Sequence, residues 1–296
     1  MKSKKFRIAA VVGILGITIA AFIYFILKHP TIIDRLRHTS PLLVLLLLGL
    51  YAIVTVLLVF VTQYSLEVGR AKIPFRDNIL LTCYSSIINF FGPLQSGPGF
   101  RIVYLKKRYN ISIKNYTLAT FMYYGFFALI SGVFLCANVL PWWGTVLVVL
   151  AISGLSLVII RKKRSTSTMH FSVEAITKLG IATFAQVFIT AIIYFLELHS
   201  VDHTVKFTQA ITYTGVANFA LFVSLTPGAI GFRESFLLFT QRLHHINSSN
   251  ILTASLIDRG VYILFLGILF LLSVAFHVGD RLKDKKATTK SIEPTE

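Results

Sequence analysis

The chain has 296 residues, 55% of them hydrophobic and 14% charged, with a mean hydropathy of +0.74. That balance excludes an ordinary soluble domain, and several runs reach the roughly 18 apolar residues of a bilayer-spanning helix. The net charge of +17 does not point to nucleic acid, because the basic residues lie between apolar runs rather than on one polar face.

In chain order, Lys2, Lys4, Lys5 and Arg7 precede an apolar run over 8–27. The run is longer than a signal-peptide core and ends at Lys28-His29-Pro30 without a small-residue cleavage pattern. An uncleaved first helix with a cytoplasmic N-terminus is expected. Further apolar segments follow at 41–62, 78–100, 116–139, 143–160, 173–196, 207–232 and 251–276. The linkers are short, so residues 1–278 are expected to form one polytopic membrane domain. The basic tail, 279–296, is expected to be disordered and cytoplasmic. Cys83 and Cys136 each sit inside an apolar segment, which leaves no disulfide framework and no cysteine metal site. Trp142 and Trp143, beside Pro141, read as an aromatic belt at the outer surface.

Two segments are interrupted. The first ends "NFFGPLQSGPGFR", where Gly92, Pro93, Gly97, Pro98 and Gly99 break an apolar run just before a basic cluster. The second reads "NFALFVSLTPGAIGFRES", with Pro227, Gly228 and Gly231. If all eight segments spanned, the basic linkers 101–115 and 161–172 would lie outside, against the positive-inside rule. If 78–100 and 207–232 instead leave on the side they entered, linkers 63–77, 101–115 and 161–172 become cytoplasmic with both termini. The expected fold is therefore an all-α membrane protein with six full spans and two re-entrant segments.

The two interruptions share an order of features: Asn-Phe, then Pro and Gly, then Gly-Phe-Arg, then an amphipathic stretch and a long apolar helix. They enter from opposite faces, as inverted repeats do, and such pairs mark a site near the midplane. The repeats are placed roughly at 41–139 and 173–276. Irregular backbone at membrane depth must be buried in protein or line a wet cavity.

Charge inside a bilayer is costly and faces a cavity or a partner. Asp258 and Arg259 lie about two turns into the last helix, and neighbours in a helix do not face each other. Arg259 is expected to pair with Glu234 or with a lipid phosphate, for which its planar fork is suited. Arg101 and Arg233 follow the two turns and either grip a transported lipid or anchor to headgroups. Asn89 and Asn218 are expected to bridge broken backbone, and Gln186 to do the same or join two helices. Glu197 reads as interfacial, and His244-His245 as a surface pair. No histidine set matches a zinc peptidase, and no Gly-rich Lys-Ser/Thr loop indicates ATP hydrolysis. No metal, no cofactor and no enzymatic activity are expected.

The two turns, together with "LIDRGVYILFLGI", resemble the transmembrane region of lysylphosphatidylglycerol synthases and its stand-alone relatives. The match covers Pro93, Gly97 and Arg101 in the first turn, Pro227, Gly228, Gly231 and Glu234 in the second, and Arg259 in the last helix. The resemblance implies a domain with re-entrant helices that moves lipids between leaflets, here as a stand-alone member without the synthase domain. Two positions depart from the family pattern. The glutamate before the first arginine is absent, and the charged pair of the following helix is replaced by Tyr123-Tyr124-Gly125. Both leave the first half less polar and weigh against a lysyl-lipid substrate.

The resulting expectation is a cell-membrane protein that translocates a phospholipid or lipid-linked headgroup through a polar groove. Substrate-binding residues are Arg101, Arg233, Glu234, Asp258 and Arg259; the turn residues are Gly92, Pro93, Gly97, Gly99, Pro227, Gly228 and Gly231. The alternative is a secondary transporter of a small anionic solute. Membrane phospholipids are the expected partners, with a second copy or a separate lipid-modifying enzyme as further ones.

Overall fold

The computed structural model describes residues 38–92, 96–137, 172–223, 229 and 231–290, with Tyr24 and Leu27, and beyond 276 the backbone alone. Every element among them is helical. In chain order they are α1 (Pro41–Val68), α2 (Phe75–Phe91), α3 (Gly97–Tyr109), α4 (Ile113–Cys136), α5 (Val173–Val201), α6 (Phe207–Val223), α7 (Phe232–Phe239), α8 (Gln241–His244) and α9 (Ser248–Lys290).

Four of these are long and apolar enough to cross a bilayer: α1, α4, α5 and the Ser248–Phe276 part of α9. They coincide with four of the six spans expected from sequence. The segments at 8–27 and 143–160, with Trp142 and Trp143, lie outside the described residues. On α1 only 17% of the apolar window is buried, and Leu42, Leu45, Ile53 and Val56 point outward. Such an apolar exterior suits hydrocarbon, and the protein is a membrane protein. The last helix is longer than expected. It continues to Lys290, through residues expected to be disordered, where Lys285, Lys286 and Ala287 are good helix formers.

Local chemistry sets the helix ends. Pro41 opens α1, where a missing N–H costs nothing. Ser172 caps α5 by accepting from the Ala175 N–H at 3.3 Å. Lys106, Lys107 and Arg108 crowd the last turn of α3, where the helix dipole favours cations, and Asn110 ends it in the left-handed region.

The main core joins Leu47 and Tyr51 of α1, Ile87 and Phe90 of α2, Tyr194 of α5, Tyr213 of α6, Leu237 of α7 and Ile257 of α9. A second cluster, built on Val61, Ala119 and Leu179, holds α1, α4 and α5 together. Gly215 lets α6 press on α4. A Cβ there would lie 2.3 Å from the Leu135 nitrogen and 2.6 Å from the Ser131 carbonyl.

Candidate functional site

Each interrupted segment is a helical hairpin. In the first, the extended Gly92 ends α2 and Ser96 precedes α3. Contacts then run in reverse order along the two helices. Gly97 N–H donates to Asn89 Oδ1 at 3.3 Å, and Arg101 Nε donates to Ser85 Oγ at 2.7 Å. Arg108 reaches Asp77 at 3.3 Å, and the Tyr109 hydroxyl also donates to Asp77. The chain runs out along α2 and returns along α3. Asn89 thus bridges the broken backbone as expected. Gly97 is required by close approach, because a Cβ would lie 2.7 Å from the Ser85 carbonyl. Gly99 is a correction: it sits exposed in the first turn of α3, with nothing within 4 Å of a Cβ. Pro93 lies outside the described residues, as do Pro227 and Gly228.

In the second hairpin, α6 leads to a break and α7 returns beside it. Gln209 Nε2 donates to the His244 and His245 carbonyls at 3.2 and 3.3 Å. Gly231 adopts φ +77°, a conformation costly for other residues, and its N–H donates to Glu234 Oε2 at 2.8 Å. Asn218 does not span the break: its Nδ2 donates to Ser131 Oγ at 3.0 Å and ties α6 to α4. His244 is a second correction. It is fully buried against Tyr213, with Nε2 3.1 Å from the Leu237 carbonyl. The amphipathic pattern placed both histidines outside, but α8 is a single short turn that folds His244 inward.

A buried charge cluster joins α7 of the second hairpin to α9. Arg259 donates to Glu234 Oε1 from Nη2 at 2.5 Å and from Nε at 3.1 Å. Arg233 is 7% exposed and donates from Nη2 to Asp258 Oδ2 at 2.5 Å and to Ser255 Oγ at 3.1 Å. Its Nη1 donates to the Tyr194 hydroxyl at 3.1 Å, and the guanidinium stands over that ring. Tyr51 donates to Asp258 and Ser255 to Glu234. The expected Arg259–Glu234 pair is present, and Asp258 turns to Arg233 instead of its neighbour Arg259.

Tyr51, Tyr194 and Ser255 did not stand out in the sequence. Ser255 carried a signal, being three and four residues before the Asp258-Arg259 pair and so on the same helix face. Each tyrosine is a lone polar tip in an apolar run.

Glu197 is a third correction. It is 1% exposed rather than interfacial, within electrostatic reach of Asp258 and Arg233, and its Oε1 has no hydrogen-bond partner among the described residues. It does lie near the helix end, just over one turn before Val201, but that end is packed into the main core beside Leu198 and Val205 instead of facing the interface. Gln186 joins two helices as expected, accepting from the Tyr123 hydroxyl at 3.2 Å.

A cavity of about 270 Å³ opens between the two hairpins. Ser85, Asn89, Gly97 and Arg101 come from the first, and Asn218, Ala229 and Arg233 from the second. Asp258 and Arg259 of α9, Tyr123 and Tyr124 of α4, and Gln186 and Thr190 of α5 add further polar groups to its lining. Glu234 stands behind Arg259 rather than in the wall. Arg233 and Arg259 meet carboxylates, whereas no carboxylate among the described residues lies within ion-pair distance of Arg101. Among the described residues no group of three or more His, Cys, Asp or Glu side chains is placed to hold a metal ion.

No curated protein and no solved structure matches the chain. Residues 8–269 do match the family model described as lysylphosphatidylglycerol synthase TM region, which covers both hairpins and the charge cluster. With that match over most of its length, the chain belongs to the lysylphosphatidylglycerol synthase transmembrane-region family.

Proposed function

We propose that the protein moves a phospholipid or a lipid-linked headgroup between the leaflets of the cell membrane. The headgroup passes through the cavity between the hairpins while the acyl chains stay in hydrocarbon. The observation that carries this reading is the cavity itself. It is a space between both broken helices with polar and charged groups among its apolar walls, including a guanidinium lacking a carboxylate, inside an apolar bundle. Arg101 is half-buried, and a charge held at membrane depth without use would be costly.

In this reading α2–α3 and α6–α7 are re-entrant hairpins entering from opposite faces, and both termini are cytoplasmic. Arg101 meets the headgroup phosphate. Arg233, Asp258 and Arg259 form a pre-set wall, with Glu234 behind it pairing Arg259. The chain does not modify the lipid. Membrane phospholipids are its partners, and a second copy or a separate lipid-modifying enzyme would act beside it.

A secondary transporter of a small anion is the rival reading, favoured by the modest volume of about 270 Å³. Leaflet exchange of labelled phospholipids in liposomes containing the purified protein separates the two. Exchange faster than in empty vesicles supports lipid movement. Uptake of a soluble anion with no lipid exchange supports the rival.

A further inference from the structure

The cavity's charges do not balance. Its wall carries three guanidiniums, Arg101, Arg233 and Arg259. Two carboxylates offset two of them: Asp258 against Arg233, and Glu234 against Arg259. Glu197 is a further buried acid, but it does not line the cavity. Arg101 is held by uncharged partners, Ser85 and the Tyr116 hydroxyl of α4, which lies within hydrogen-bonding reach of the guanidinium. Ser85 Oγ accepts from its Nε at 2.7 Å and spends its own proton on the Gly97 carbonyl at 3.0 Å. That contact fixes the plane of the guanidinium without neutralising it. The nearby lining is uncharged and able to hydrogen-bond. Gln186 already accepts from Tyr123 through Oε1, so its amide N–H₂ is the donor that side chain has left to give.

A positive charge in a low-dielectric wall attracts an anion and repels a cation more strongly than it would in water. A planar guanidinium favours a phosphodiester, which it can bind through two donors. We propose that Arg101 is the anion subsite of this cavity, and that the cavity takes a phospholipid whose headgroup is net negative and hydroxyl-bearing. Zwitterionic and aminoacylated, net positive headgroups are disfavoured. The inference rests on the lipid reading above and names its substrate class.

Native mass spectrometry of the purified full chain in detergent tests it directly. The protein is offered equal amounts of phosphatidylglycerol, phosphatidylethanolamine and lysyl-phosphatidylglycerol. Phosphatidylglycerol should be retained over the lysyl lipid by about tenfold, the scale of one charge-assisted hydrogen-bonded contact. Arg101→Gln should remove that preference, and Arg101→Lys should keep part of it. Should Arg101→Gln not yield folded protein, Arg101→Lys is read alone, and an unchanged preference there overturns the assignment. Equal retention in the wild type, or preference for the lysyl lipid, also overturns it. So does a preference that persists in Arg101→Gln, since it would come from lipid around the bundle.

Glycerol 3-phosphate as competitor separates the sources of the phosphate. Displacement supports the subsite with a soluble ligand, and resistance supports it with a lipid. Leaflet exchange is scored independently. Selective binding without exchange of any lipid keeps the subsite and removes lipid translocation, whereas unselective exchange does the opposite.

Discussion

Arg259 and Arg101 share one cavity but differ in what their charge meets. Arg259 is tied to Glu234, and both side chains are nearly buried, at 6% and 14% exposure. Removing one member of such a pair leaves an uncompensated charge, at a cost of roughly 3–5 kcal/mol, whereas replacing both by apolar groups is often neutral. Arg259→Ala should therefore lower the thermal midpoint in detergent sharply, and the double change Glu234→Met with Arg259→Met should recover most of it. Thermal unfolding followed by size-exclusion chromatography reads both. Arg101, held by the hydroxyls of Ser85 and Tyr116 and by no carboxylate, should tolerate Arg101→Gln with little change in midpoint. The residues legible in the sequence were those whose charge stood out against apolar flanks: Arg101, Arg233, Glu234, Asp258 and Arg259. Their partners were not, because Tyr51 and Tyr194 acquire meaning only when α1 and α5 bring them onto α9 and α7. Glu197 misled for the same reason. Its burial, so near a helix end, is a property of the folded bundle.

The hairpins are the elements on which the site depends, and their two glycine types act differently. Gly97→Ala should loosen the α2–α3 hairpin and lower stability, since the added methyl meets the Ser85 carbonyl at 2.7 Å. Gly99→Ala, in open space at a helical position, should be neutral or stabilise by up to about 1 kcal/mol. Opposite signs at positions two apart would distinguish close approach from a general need for flexibility. Both glycines looked equivalent in the sequence, where Gly and Pro mark a break but not which atom comes close.

At the exposed end of α5, Asp202 accepts from the Thr204 hydroxyl at 2.7 Å and N–H at 2.9 Å, and from Asn250 of α9 at 2.8 Å. The Thr204 hydroxyl and N–H hold the Asp202 carboxyl below its ordinary range. A depressed value means the tie is fully present above the ordinary aspartate pKa, about 3.9, and is lost as pH falls through the lower folded value. Amide hydrogen exchange at 202–206 should rise only in that acidic window, and Asp202→Asn should abolish the dependence.

The whole molecule is a membrane bundle whose two hairpins meet over one cavity. Its class, most of its spans and the pairing of the two breaks were legible, because apolar runs and Gly/Pro clusters are strong local signals. A polar groove was expected between the breaks, but its full lining was not legible, since its walls are drawn from α1, α2, α3, α4, α5, α6, α7 and α9 together. The proposed topology puts position 108 on the cytoplasmic face and position 204 on the opposite one. In a variant lacking Cys83 and Cys136, a membrane-impermeant maleimide applied outside should label Thr204→Cys and spare Arg108→Cys. Labelling of Arg108→Cys with Thr204→Cys spared, the pattern eight full spans would give, would remove the re-entrant arrangement.

The central claim is that the headgroup travels through this cavity, and plugging it reversibly tests that claim most directly. Thr190 of α5 lines the cavity and is half-buried. In the cysteine-free background, Thr190→Cys is modified with a bulky methanethiosulfonate and reconstituted, and leaflet exchange of labelled phosphatidylglycerol is followed. The account predicts that exchange falls to the rate of empty vesicles and returns when a reductant releases the plug. Undiminished exchange with the cavity filled would contradict it.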